Sequence, residues 1–274
     1  MRRFPNLISD SLLIADTIDL LRSFGGTASA TSVVDFVMKI RNPPLVLAIG
    51  MVSDLIERDP RLRLNGETVE LVADGFDERG LDATEFVVFD LETTGAKAPP
   101  CRVTEIGAYR VRNDKIVEDF QALVNPGMPI PPFITSLTGI SDDMVRDAPP
   151  FADILPAFLE FIGDSVLVAH NSGFDMRFLN HEIGLVFEDY RLANPCLCTV
   201  QLSRRFLPDI ANHKLKTVAE HYAIDLRDHH RAAADARATA EIFINLLQRM
   251  QLDGLHDLAA VKQLSHRKRS YAGR

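Results

Sequence analysis

Cysteine is scarce: Cys101, Cys196 and Cys198 are the whole complement, with no CxxC pair, so neither a disulfide framework nor a four-ligand zinc site has its raw material. That scarcity points to a reducing, cytoplasmic setting. No apolar run reaches the roughly 18 residues needed to span a bilayer, and the N-terminal MRRFPNLISD meets Ser9 and Asp10 before a signal-length apolar stretch develops. Membrane spanning and secretion are thereby disfavoured. Internal repeats and low-complexity tracts are absent. So are a GxxxxGK[ST] phosphate loop and a GxSxG nucleophile turn, and His181-Glu182 lacks the second histidine of HExxH. Positive charge is not in excess either. Thirty Lys and Arg stand against 38 Asp and Glu, a net charge of −8, which argues against a surface that grips nucleic-acid phosphates everywhere.

What is present is a chain of 274 residues, 46% hydrophobic and 25% charged, the balance of a folded soluble protein with room for two domains. Residues 1–73 read as a small α+β unit. Leu12, Leu13, Ala15, Ile18, Leu21 and Phe24 recur at helical spacing until Gly25-Gly26 stops them, giving a helix near 10–24. Val33, Val34, Phe36 and Val37 mark a second helix over 32–40, and Leu45 to Glu57 a third, with Asn42-Pro43-Pro44 between them. Two alternating segments within 61–71 flank Asn65-Gly66, a strong hairpin signal. Three helices and a hairpin resemble a winged-helix domain in element order. The third run carries no Lys or Arg, and only Arg58, Arg61 and Arg63 supply positive charge nearby, so the expected duplex binding is weak and a protein-packing role is the alternative. Residues 74–84 read as an acidic linker. A basic tail covers 251–274, with the run Ser265-His-Arg-Lys-Arg-Ser270.

From Glu85 to Met250 strands and helices alternate. Phe86–Phe89, Arg102–Arg112, Lys115–Val124 and Ser165–Ala169 read as strands, and 154–162, 174–183, 214–222 and 232–250 as helices. The pattern predicts an α/β sheet covered by helices.

Three short segments carry the chemistry. Asp90 and Glu92 end the first apolar strand, and a period of two turns both to one side while Leu91 faces the core. Side by side such carboxylates repel, and a divalent cation between them relieves this; alone, though, a D-x-E pair is more often a solvated face. Asp175 follows His170-Asn171-Ser-Gly and opens a helix, where the helix dipole alone is a sufficient reason for an acid. His230 and Asp235 stand five residues apart, about 140° on an ideal helix, so both reach one site only with His230 on the loop before an Ala-rich helix that carries Asp235.

The order Asp-x-Glu, Asp, His-x-Ala-x-x-Asp resembles the DEDDh, or DnaQ-like, 3′–5′ exonuclease family over about residues 85–250, with the strongest likeness to bacterial DNA polymerase III proofreading domains. Thr104-Glu-Ile-Gly-Ala108, Asn125-Pro126, Leu137-Thr-Gly-Ile-Ser141, Val168-Ala-His-Asn171 and His213-Lys-Leu215 extend it. The resemblance implies a ribonuclease-H-like mixed sheet flanked by helices and two divalent metal ions, Mg²⁺ or Mn²⁺, held by Asp90, Glu92, Asp175 and Asp235. It implies His230 as general base, and the backbone around Thr93 and Thr94, together with Asn171, as the lining of a terminal-nucleotide pocket. Two metals supply a nucleophilic hydroxide near neutral pH and relieve charge on the leaving 3′ oxygen. The expected activity is metal-dependent release of nucleoside 5′-monophosphates from the 3′ ends of DNA, in proofreading, repair or end trimming. An exoribonuclease of the same family, and a DNA-binding or polymerase-associated adaptor meeting its partner through residues 1–73, remain the alternatives.

Overall fold

The computed structural model describes residues 4–57, 59–72, 79–226 and 229–266. The chain divides into two compact units, Met1–Gly75 with Phe187–Ala193, and Phe76–Val186 with Asn194–Arg274.

In the first unit, strand β1 (Leu7–Ser9) precedes helix α1 (Leu12–Ser23), strand β2 (Thr27–Ser29), helices α2 (Ala30–Phe36) and α3 (Leu45–Ile56), and strands β3 (Leu62–Asn65) and β4 (Thr68–Leu71). Ile14, Ile18 and Leu21 of α1, Val33 and Val34 of α2, and Ala48 and Val52 of α3 close one core over Val69. Gly25 and Gly26, at φ 75° and 99°, end α1 in backbone that side-chain-bearing residues rarely adopt. Ser29 caps α2 by accepting the Ser32 N–H at 3.1 Å. That helix stops at Phe36, short of the expected Ile40, where Lys39 turns to positive φ. The hairpin is offset by one residue from Asn65-Gly66: Asn65 pairs with Thr68, so Gly66 (φ 61°) and Glu67 make the turn. Antiparallel strands run in the order β2-β4-β3. β1 pairs instead with Tyr190–Leu192, strand β9, from the distant 187–193 segment.

The second unit holds a five-stranded mixed sheet. Its strands are β5 (Phe86–Thr93), β6 (Val103–Arg112), β7 (Lys115–Leu123), β8 (Val166–Ala169) and β10 (Cys196–Cys198), in the order β10-β8-β5-β6-β7. β5, β8 and β10 are parallel, while β6 and β7 run antiparallel. Helices α4 (Pro132–Thr138), α5 (Asp142–Val145), α6 (Phe151–Ile162), α7 (Ser172–Val186), α8 (Thr199–Phe206), α9 (Leu215–His221), α10 (Ala232–Leu252) and α11 (Leu258–His266) complete the unit. Alternation along β5 sorts its two faces. Phe86 meets Phe243 of α10 edge-on at 4.9 Å, whereas Phe89 turns the other way, toward Phe158 of α6. Each such phenylalanine contributes about 1.5–3 kcal/mol through removal from water.

Two expected boundaries differ in the structure. Leu81, inside the expected linker, is buried with Phe86 in one core, and residues 73–78 lie outside the described residues. Within the expected tail, α10 continues to Leu252 and α11 buries Leu258 and Val261 in that same core; the basic residues 267–269 are outside the description. The segment 187–193, expected within the 85–250 domain, belongs to the first unit. Among the described residues, no helix is long and apolar enough to cross a membrane.

Candidate active site

Because Phe86 faces α10, the residues that follow it in even steps, Asp90 and Glu92, face α10 too. On β6 the residues directly opposite are Gly107, across from Asp90, and Glu105, across from Glu92. Helix α10 begins at Ala232, so Asp235 lies in its first turn. One carboxylate oxygen from each of Asp90, Glu92 and Asp235 falls within 4.8 Å of the others. Asp175, buried in the first turn of α7, accepts the Leu91 N–H at 3.3 Å from the flank of the same strand.

His230 precedes α10 at φ 69°, and its backbone N–H donates to Asp235 Oδ2 at 3.2 Å. That placement on a loop is what the 140° helical separation demands. Its neighbour is equally close to the acid. His229 Nδ1 lies 2.8 and 3.0 Å from the two Asp235 oxygens, and the histidine rings stack 3.8 Å apart at 24°. Thr93 and Thr94 are buried with their hydroxyls in use: Thr93 donates to the Gly95 carbonyl at 2.7 Å, and Thr94 accepts the Arg102 N–H at 3.0 Å. Asn171 is exposed on the turn between β8 and α7, at φ 72°.

The electrostatics are those of crowded like charges. Asp90 and Glu92 each keep part of their surface open, yet burial and then the Asp175, Glu92 and Asp235 carboxylates raise Asp90 well above its ordinary value. Burial first, then Asp235, Glu105 and Asp175, push Glu92 up to about 8, with Arg231 opposing. Burial likewise pushes Asp175 up to about 8 against the backbone N–H groups it accepts. His230 is lowered by burial and by His229 beside it, with Asp235 acting the other way.

The profile of the RNase_T family, described as Exonuclease, matches residues 87–243. The chain belongs to the exonuclease family. It is 39% identical over 189 residues to the DNA polymerase III epsilon subunit of Aquifex aeolicus, covering 69% of this chain and 93% of that subunit. It is 44% identical over 196 residues to the PolC-type DNA polymerase III of Caldanaerobacter subterraneus subsp. tengcongensis, covering 70% of this chain but only 14% of that polymerase. Exonuclease X bound to 5′-overhanging duplex DNA superposes with a TM-score of 0.54 at 26% identity, over 66% of this chain and 99% of the other. The nuclease domain of 3′hExo bound to rAMP, at 21% identity and a TM-score of 0.53 over 67% and 96% of the two chains, shares the fold. The exonuclease unit thus has a ribonuclease-H-like architecture.

Divalent cations serve this family, and the donor set here fits them. Asp90, Glu92 and Asp235 offer only oxygen, the preference of a hard cation, and a positive ion removes the repulsion that holds these carboxyls toward their neutral forms. The sequence reading did not assign a role to His229, Glu105 or Arg231. Doubling of the histidine was the available signal for the first. For Glu105 it was the even step from Tyr109 and Val111, which places it on the α10 face.

Proposed function

We propose that the exonuclease releases nucleoside 5′-monophosphates from DNA 3′ ends, with two Mg²⁺ or Mn²⁺ ions held by Asp90, Glu92, Asp175 and Asp235. The observation that carries this reading is the meeting of Asp90, Glu92 and Asp235 oxygens within 4.8 Å at a partly open strand end, with Asp175 alongside. When bound, such ions acidify a coordinated water and stabilise charge on the leaving 3′ oxygen. The carboxylates fix where those charges sit. His230, held on its loop by the bond to Asp235, takes the proton from the attacking water as oxygen adds to phosphorus; the bond to the 3′ oxygen breaks, that oxygen takes up a proton from solvent water, and His230 returns its own proton to solvent. Burial and His229 favour the neutral, proton-accepting form of His230. The backbone at Thr93 and Thr94, and Asn171, line the pocket for the terminal nucleotide. Internal use of both threonine hydroxyls leaves that lining to the main chain.

Likeness to polymerase subunits supports a replicative or repair setting with a DNA polymerase as partner. We read residues 1–73 as a winged-helix-like platform for that protein partner: α3 has no Lys or Arg and leaves Val46 83% and Leu47 52% exposed. The test uses single-stranded DNA, duplex DNA with mismatched ends, and RNA, each with Mg²⁺ or EDTA. Mg²⁺-dependent mononucleotide release that is fastest from DNA supports the reading, and faster release from RNA replaces it with an exoribonuclease.

A further inference from the structure

Glu105 is a buried carboxylate opposite Glu92, on the same sheet face as the acidic cluster, where one more negative charge works against the other acids. Its oxygens are turned away from the cluster's business. Oε2 accepts the Arg231 Nε–H at 3.1 Å and the Ala232 backbone N–H at 2.8 Å, and Oε1 accepts the Arg231 Nη2–H at 2.7 Å. Arg231 follows His230 directly, and Ala232 is the first residue of α10, whose first turn presents Asp235. His230 itself sits at φ 69°, a strained conformation for a side-chain-bearing residue that persists only where the surroundings over-determine it. Two residues along β6 on the same face, Gly107 supplies the close approach: a Cβ there would lie 2.5 Å from the Ala232 carbonyl carbon and the Ala233 N and Cα. Strand β6 therefore grips the start of α10 twice, by an absent side chain at 107 and by a forked carboxylate at 105.

We propose that Glu105 is a positioning residue for the reaction: its clamp on Arg231 and the Ala232 N–H fixes the turn that aims His230 at the Asp90–Glu92 strand end. The inference rests on the assignment of His230 and Asp235 given above. Glu105 touches neither substrate nor reacting atoms and acts through the loop, so its effect belongs to the chemical step and is spent when His230 is gone. A residue holding only the fold lacks that dependence.

The experiment is a double-mutant cycle on the full-length protein, with kcat and KM measured on 5′-labelled single-stranded DNA in Mg²⁺ and the thermal midpoint recorded for every variant. Glu105→Ala lowers kcat about 10- to 100-fold with KM within about threefold, the scale of a displaced catalytic group. Glu105→Gln keeps one acceptor oxygen for the Ala232 N–H and recovers at least about a third of that loss on a logarithmic scale. In a His230→Ala background, adding Glu105→Ala costs less than about threefold. Losses that multiply in the double variant, or a kcat loss that tracks a falling thermal midpoint and is not relieved by glutamine, overturn the proposal. Should Glu105→Ala not fold, Glu105→Gln carries the same cycle with the same criteria. Full activity in His230→Ala alone overturns both this proposal and the base assignment, whereas a slow His230→Ala with multiplying losses overturns this proposal only.

Discussion

Asp90, Glu92 and Asp175 hold protons in the metal-free protein that ordinary carboxyls have lost, and this sets a pH dependence with a definite sign. Their folded-state values are raised, to about 8 for Glu92 and Asp175, above the carboxylate range of the unfolded chain. Stability from these groups is therefore full below about pH 4 and lost as pH climbs through about 8. In EDTA the thermal midpoint falls between about pH 5 and pH 9, and Asp90→Asn, which removes one like charge, flattens the fall. Added Mg²⁺ abolishes it, because a cation prefers the ionised forms. A midpoint in EDTA that rises over this window contradicts the electrostatic account. At the same scale, His230→Ala is expected to lower kcat by about 10²- to 10⁴-fold, the cost of losing a general base. His229→Ala removes one charge-assisted hydrogen bond to Asp235 and costs about tenfold or less. Steady-state kinetics showing the reverse order would move the base from residue 230 to 229.

Strand β5 and helix α10 show which parts of the site could be read from sequence and which could not. Period two put Asp90 and Glu92 on one side, and the angular separation of positions 230 and 235 put the histidine on a loop; both follow from local geometry. The Glu105 bonds to Arg231 span 126 residues, and β1 finds its partner strand far along the chain at Tyr190–Leu192, so no local pattern announces either. Three-residue strands such as β1, β2 and β9 are also too short to display a period. Boundaries failed where one backbone angle decided them, as at Lys39 after α2 and Gly66 in the hairpin. The packing of β6 against α10 gives the prediction for this scale. Gly107→Ala sets a methyl 2.5 Å from backbone atoms of α10 that have no flexible side chain to yield. The expected overpacking cost is about 1–3 kcal/mol, a drop of roughly 3–10 °C in thermal midpoint by differential scanning fluorimetry, with kcat falling as the first turn of α10 shifts. An unchanged midpoint and unchanged kcat would show that α10 is not seated as described.

For the molecule as a whole, hydrolysis belongs to the second unit, and the first presents an apolar face. Phe24 and Phe36 are about half exposed and pack edge-on at 6.3 Å, and Val46 and Leu47 of α3 stand open. Val46→Lys and Leu47→Glu are surface changes within ±0.5 kcal/mol, so hydrolysis of single-stranded DNA stays within about twofold of the unmodified protein. A larger loss would tie α3 to the chemistry. The first unit takes in 187–193 as well as the N-terminal segment, so residues 1–84 by themselves do not comprise it, and such tests belong to the full chain. The most direct measurement of the central claim follows one DNA strand labelled at its 5′ end and a second labelled at its 3′ end, with Mg²⁺, with EDTA, and with Asp90→Asn. In Mg²⁺ the 3′ label leaves at once as a mononucleotide while the 5′ label moves down a ladder of successively shorter strands; EDTA and Asp90→Asn stop both. Undiminished turnover in EDTA or in Asp90→Asn, or a 5′ label released first as a mononucleotide, would contradict a metal-dependent 3′–5′ exonuclease centred on Asp90.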